Sequence, residues 1–269
     1  MIDQQASYLA RTDRILVPMA KGESSRKAFT IATEFGRSLG SQITALTIKE
    51  ETKEVTWSQK VAIIMNAYKE AKSEGINIIP KIQSSRSVKE GILSEVNSRN
   101  YDLVLMSSKS RPGISTSLLG PIGDYVIKHS RNTVAAVSLK RDTYPYRNIF
   151  VPMSERLNTR KSVYLAAIFA KVMKAKFNLC DMRDFDRKKI HGFKTIMNNE
   201  IWKELNLDYE ITKSSGENLR ESVMNRIYST SSDLIILGLR TDSYSNVRIN
   251  SDIKRIMKDI SIDSVLIKR

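Results

Sequence analysis

The 269-residue sequence predicts two doubly wound α/β domains, each built on a five-stranded parallel sheet. Three observations carry that expectation. Apolar blocks recur in the same order at near-constant spacing, so the chain holds an internal repeat. Within each copy, short Ile/Val/Leu runs alternate with stretches of helical periodicity. The lone cysteine, Cys180, excludes a disulfide scaffold, and the longest apolar run, Val163 to Ala170, is too short to cross a bilayer.

The repeat is explicit in the residues. Ile15-Leu16-Val17-Pro18-Met19 returns 134 residues later as Ile149-Phe150-Val151-Pro152-Met153. Asp102-Leu103-Val104-Leu105-Met106 returns after 131 residues as Asp233-Leu234-Ile235-Ile236-Leu237. The closing run that begins at Thr133 keeps the 131 offset as Ser264-Val265-Leu266-Ile267. Between the copies, Lys140 to Tyr146 is polar and holds Pro145, as a linker should. The expected domains are therefore 1–142 and 147–269.

The elements of the first copy follow in order. Residues 14–19 read as a buried strand. Ala28, Ile31, Ala32, Phe35 and Leu39 then mark one face of a helix, with Ser24 or Ser25 placed to cap it and Gly40 to end it. Strands at 42–48, 77–82, 101–107 and 133–139 are separated by helical stretches at about 55–74 and 86–98 and by an amphipathic helix from Ile122. The second copy repeats the first helix face as Ser162, Leu165, Ala166, Phe169 and Met173, with further helices at about 185–205 and 216–229. Strands that are apolar throughout and joined by helices make a parallel sheet covered on both faces, with right-handed crossovers. Such sheets bind ligands at the carboxyl ends of their strands, near the switch in strand order. The loops after the first and fourth strands are the places to search.

Side chains for catalysis are scarce. The chain has two histidines: His129 falls at a helix end, and His191 lies in a charged run that reads as a solvated helix start. Asp184 and Asp186 are flanked by basic residues and read as surface ion pairs. Cys180 sits in a predicted strand and reads as a buried structural thiol. No nucleophile–histidine–carboxylate set and no Cys-based metal site can be assembled, so the sequence predicts no enzyme.

The loop after the fourth strand is richer. Ser107, Ser108, Lys109, Ser110 and Arg111 lead through Gly120 and Pro121 into a helix. Small residues, two cations and a helix N-terminus are the ingredients of an anion site; the plain alternative is a solvated loop of ordinary turn residues. Together with Arg14-Ile-Leu-Val-Pro18, Tyr101-Asp-Leu-Val-Leu-Met106 and Thr133-Val-Ala-Ala-Val137, the chain resembles the tandem universal stress proteins, once per half. The resemblance implies a Rossmann-like fold, a pseudo-dimer of the two halves through their last strands, and further association into a homodimer. It also implies an adenine nucleotide such as ATP, held by Gly-x2-Gly-x9-Gly-Ser/Thr and an aspartate after the first strand.

The motif is degenerate here. In the first half its positions are Ser107, Ser110, Gly120 and Pro121, and the aspartate position is Ala20. In the second half they are Gly238, Thr241, Ser251 and Asp252, with Ser154 at the aspartate position. Losing a hydrogen bond to a charged partner costs about 1.5–3 kcal/mol, tenfold or more in affinity. Asp252 sets a negative charge where a phosphate would sit. The expectation is no ATP binding in the second half and weak anion binding in the first, through Ala20, Ser107, Ser108, Lys109, Ser110, Arg111 and Gly120.

The formal net charge is +15, from 21 basic against 14 acidic residues up to Asp142 and 23 against 15 after it. An even spread argues against a nucleic-acid arm. A preference for anionic ligands is favoured over an acidic membrane surface or a transporter partner. The sequence thus reads as a cytoplasmic stress-response protein without chemistry of its own. The alternatives are a cytosolic sensor module for a membrane transporter and a weak ATPase.

Overall fold

The computed structural model describes residues 11–51, 56–109, 118–141, 143–186, 202, 205–214, 218–240, 247 and 249–268. The chain divides into two compact units, the first spanning Arg11–Ser138 and the second beginning at Leu139.

The first unit runs β1 (Arg14–Pro18), α1 (Glu23–Leu39), β2 (Gln42–Glu50), α2 (Trp57–Ser73), β3 (Ile78–Ser85), α3 (Val88–Ser98), β4 (Leu103–Lys109), α4 (Gly120–His129) and β5 (Thr133–Leu139). Its strands lie in the order β3-β2-β1-β4-β5. β1 pairs in parallel with β2 and with β4, and β2 pairs in parallel with β3. The strand order reverses between β1 and β4, so their carboxyl ends form the switch point. Ile15, Leu16, Val17, Leu103, Val104 and Leu105 are fully buried there. α1 buries Ala28, Ile31, Ala32 and Phe35, the face that the periodicity marks, while Leu39 at its end is exposed. Gly40 ends α1 in the left-handed conformation, its N–H bonded to Gly36 O.

The start of α1 differs from expectation. Its cap is Gly22, and neither Ser24 nor Ser25 caps it. Ser25 Oγ instead donates backwards to the carbonyls of Ala20 at 2.6 Å and Gly22 at 3.1 Å. A hydroxyl that donates to a carbonyl outside the helix is a local competitor to capping.

One polar cluster lies inside the first unit. Glu95 of α3 is buried, with Lys81 Nζ at 2.5 Å and the Tyr101 hydroxyl donating to it at 2.6 Å. Burial alone would raise the Glu95 carboxyl, but the Lys81 and Tyr101 hydrogen bonds bring it below its ordinary range. Burial and the bond to Glu95 push the Tyr101 phenol up to about 12.

The second unit runs β6 (Asn148–Met153), α5 (Arg160–Met173), β7 (Lys176–Asp181), a 3₁₀ turn (Arg183–Phe185), β8 (Tyr209–Lys213), α6 (Leu219–Ser229), β9 (Leu234–Leu239), α7 (Ser251–Asp259) and β10 (Asp263–Lys268). Its order, β10-β9-β6-β7-β8, mirrors that of the first unit, with the switch between β6 and β9. A capping box opens α5, with Thr159 and Ser162 each bonding the other's backbone N–H. Trp202 is buried with its ring centroid 5.2 Å from Phe177 and 6.2 Å from Tyr164. The helix expected at 185–205 falls largely outside the described residues, as does His191. Cys180 is buried, and burial raises its thiol pKa.

The linker is tied into the second unit. Asp263, fully buried at the start of β10, accepts from Lys140 N at 2.7 Å, Arg141 N at 2.9 Å and the Tyr146 hydroxyl at 2.9 Å. Lys140 Nζ donates to the carbonyls of Met257, Lys258 and Ile260, which the end of α7 leaves without helical partners. Burial pulls the Lys140 ammonium below the usual lysine range, with Asp259 opposing that shift. No helix among the described residues is long and apolar enough to cross a membrane.

Candidate functional site

At the first switch point, β1 ends at Pro18 and the chain passes through Ala20 and Gly22 into α1, while β4 delivers Ser107, Ser108 and Lys109. Ser107 Oγ donates to Ser24 O and accepts from Ala28 N at 3.2 Å, which binds the end of β4 to the first turns of α1. Lys109 Nζ lies 2.8 Å from Glu23 Oε2, in an ion pair exposed on both sides. Such a pair contributes little to stability and leaves the ammonium accessible to a competing anion. Ser108 Oγ is shut off from solvent and has no hydrogen-bond partner among the described residues. Ala20, Ser107 and Lys109 thus converge on the N-terminus of α1. Ser110 and Arg111 lie outside the described residues.

Gly120 opens α4 at a φ of 76°, and an added Cβ would meet nothing within 4 Å. Its requirement for glycine is therefore conformational. Asp124 Oδ1 accepts from Leu119 N at 3.2 Å, so a carboxylate already occupies the end of α4 where an anion would be drawn. Pro121 in the first turn removes one further N–H from that end. His129, at the other end, donates from Nδ1 to the Tyr125 carbonyl at 2.8 Å.

The second switch point is filled by its own side chains. Asn158 Nδ2 donates to Pro152 O at 2.9 Å and Ile236 O at 3.0 Å, bridging the ends of β6 and β9. Ser154 Oγ donates to Asp186 at 2.5 Å, and Glu155 N donates to the same carboxylate at 2.8 Å. Arg156 reaches Asp252 of α7 at 3.0 Å and Phe185 O at 2.8 Å, while Asn250 Nδ2 donates to Arg156 O. Three loops are thereby tied together at one arginine. Asp184 forms an ion pair with Lys213 at 3.0 Å, but Asp186 ties down the loop after β6 rather than pairing at the surface.

Gly238, the motif glycine retained in this half, answers to packing. A Cβ there would stand 2.1 Å from Ser162 Oγ, 2.6 Å from Ser162 Cβ and 3.0 Å from Asn158 Oδ1. At the repeat offsets, Gly238 corresponds to Ser107 and Ser162 to Ala28. Each unit therefore places one hydroxyl between its fourth strand and first helix, from the strand in one and from the helix in the other. Arg156, Asn158 and Asp186, which shape this region, carry no signal in the sequence that marks them in advance. Among the described residues, no group of three or more His, Cys, Asp or Glu side chains is placed to hold a metal ion.

The profile of the Universal stress protein family matches residues 11–138. The first unit belongs to the universal stress protein family. The chain as a whole superposes on a universal stress protein from Archaeoglobus fulgidus DSM 4304 with a TM-score of 0.68 at 16% identity, covering 96% of this chain and 99% of that one. A functionally unknown protein from Pseudomonas aeruginosa PAO1 gives 0.62 at 12% identity, covering 97% and 94%. The cytoplasmic domain of a prokaryotic cation chloride cotransporter gives 0.58 at 11% identity, covering 95% of each chain. At these identities the likeness is one of fold, and it extends through the second unit. No curated protein matches the chain.

Proposed function

We propose that this is a cytoplasmic, non-catalytic regulatory protein of universal stress type, whose first half binds an anionic, nucleotide-like ligand weakly at its switch point and whose second switch point is closed to one. The observation that carries the reading is the contrast between the two switch points. In the second, Asn158, Asp186 and the Arg156–Asp252 pair occupy the strand ends. In the first, Ser108 Oγ is unpartnered among the described residues, and Lys109 meets the carboxylate of Glu23 in an ion pair exposed to solvent. Ala20 and Pro121 remove two of the groups a triphosphate would use, which supports weak rather than tight binding. Among the described residues, neither switch point presents a nucleophile–histidine pair or a metal set, which supports regulation by binding rather than turnover.

Calorimetric titration of the full chain with ATP tests this. The expected result is weak binding that weakens further in Lys109→Ala, with no phosphate released. Binding that Lys109→Ala leaves unchanged, or hydrolysis that this variant abolishes, would overturn it. The likeness to a cotransporter's cytoplasmic domain supports a second reading, a cytosolic sensor module for a membrane transporter. Co-purification of the tagged full chain with an integral membrane transporter would favour that reading.

A further inference from the structure

We propose that a cleft between α6 and α7 of the second unit binds a phosphate-bearing ligand through Arg255 and Lys258. The cleft has a volume of about 350 Å³ and is lined by Asn218, Arg220, Asp252, Arg255, Lys258 and Asp259. That volume is at the lower end for small-molecule sites, of roughly 300–1,000 Å³.

The charges on its walls are unevenly committed. Asp259 is taken by Arg220 at 2.5 Å and Asp252 by Arg156 at 3.0 Å. Both carboxylates are thus neutralised from within the fold. Arg255 and Lys258 are exposed and have no ion pair among the described residues. They belong to a basic face of α7, completed by Lys254, while Ile253, Ile256 and Met257 pack inward. Asn218 Oδ1 accepts from Arg220 N at 3.0 Å, which leaves the amide N–H₂ as another donor at the wall. Two uncommitted cations and an amide donor on a concave surface match a phosphate better than a neutral or cationic ligand.

The arrangement belongs to the second half alone. At the 131-residue offset, Arg255 corresponds to Asp124 and Lys258 to Ile127. The walls come from α7, α6 and the cap of α6, all in the second unit, so this cleft is separate from the loop site proposed for the first half and stands without it. It also gives part of the +15 charge a use that the near-even division between the halves does not suggest.

Calorimetry on the full chain with inorganic phosphate, and co-sedimentation with phosphatidylcholine vesicles containing phosphatidic acid, separate a soluble ligand from a lipid headgroup. Each cation bound to phosphate is worth about tenfold in affinity or more. The expected result is binding of at least one probe that weakens about a hundredfold in Arg255→Ala/Lys258→Ala, with the melting temperature unchanged. Lys109→Ala should leave that binding intact, which separates it from the first-half site. Asp259→Asn, which releases Arg220 into the cleft, should tighten it. Absence of binding by both probes, or equal binding by the double variant, would overturn the proposal.

Discussion

The retained glycine of the second half gives the sharpest test of how the two units differ. If Gly238 is fixed by packing, Gly238→Ala must disturb α5, because the new methyl would sit 2.1 Å from Ser162 Oγ. Overpacking a filled interface costs roughly 1–3 kcal/mol. Ser162 is also half of the capping box that opens α5, and losing that box adds about 1 kcal/mol. The sum is about 2–4 kcal/mol. Urea unfolding followed by fluorescence measures it selectively, because Trp202 is buried in the second unit whereas Trp57 is half exposed in the first. Combining Gly238→Ser with Ser162→Ala transplants the first unit's arrangement, in which Ser107 faces Ala28, and should recover at least half of the loss. If Gly238→Ala unfolds at the wild-type urea concentration, or if the double variant is worse than additive, the packing account fails.

Other substitutions probe the remaining elements. Gly120→Ala should cost roughly 1–2 kcal/mol, because the site is open and only the φ of 76° resists a side chain; differential scanning calorimetry would read it. Glu95→Gln should cost roughly 1.5–3 kcal/mol at neutral pH by weakening the bonds from Lys81 and Tyr101. Because the folded carboxyl lies below its ordinary 4.5, its stabilisation is full above that pH and fades as pH falls further; the variant's stability should be flatter there in acid titrations of urea midpoints. Asp263→Asn exchanges three charge-assisted bonds for weaker neutral ones, and limited proteolysis should then cut within 140–146 faster than in the wild type.

Much of the architecture is legible in the sequence because the central parallel strands, buried on both faces, are continuous apolar runs, and three of those runs occur twice. The start of α1 is not, since the serine placed to cap it bonds backwards to Ala20 and Gly22, a choice made by loop geometry. At the switch points, residue types survive the reading better than roles. Ser107 reads as a lost motif glycine, yet its hydroxyl spans to Ser24 and Ala28 from 79 residues or more away in sequence. Gly238 reads as a retained one, yet what holds it is Ser162. Arg156 and Asp186 draw their significance from partners about 30 residues or more distant, and no local pattern announces such pairs.

The ties at Lys140 and Asp263 bear on how the chain can be divided. A cut placed in the middle of the polar linker, where the sequence invites it, would strip the second half of the ammonium that closes α7 and leave a buried carboxylate facing lost donors. A fragment opening at Leu139 keeps both. The connecting residues are thus an integral N-terminal brace of the second unit. Any separation of the two, by protease or by design, is best made at the C-terminal end of β5, ahead of Lys140.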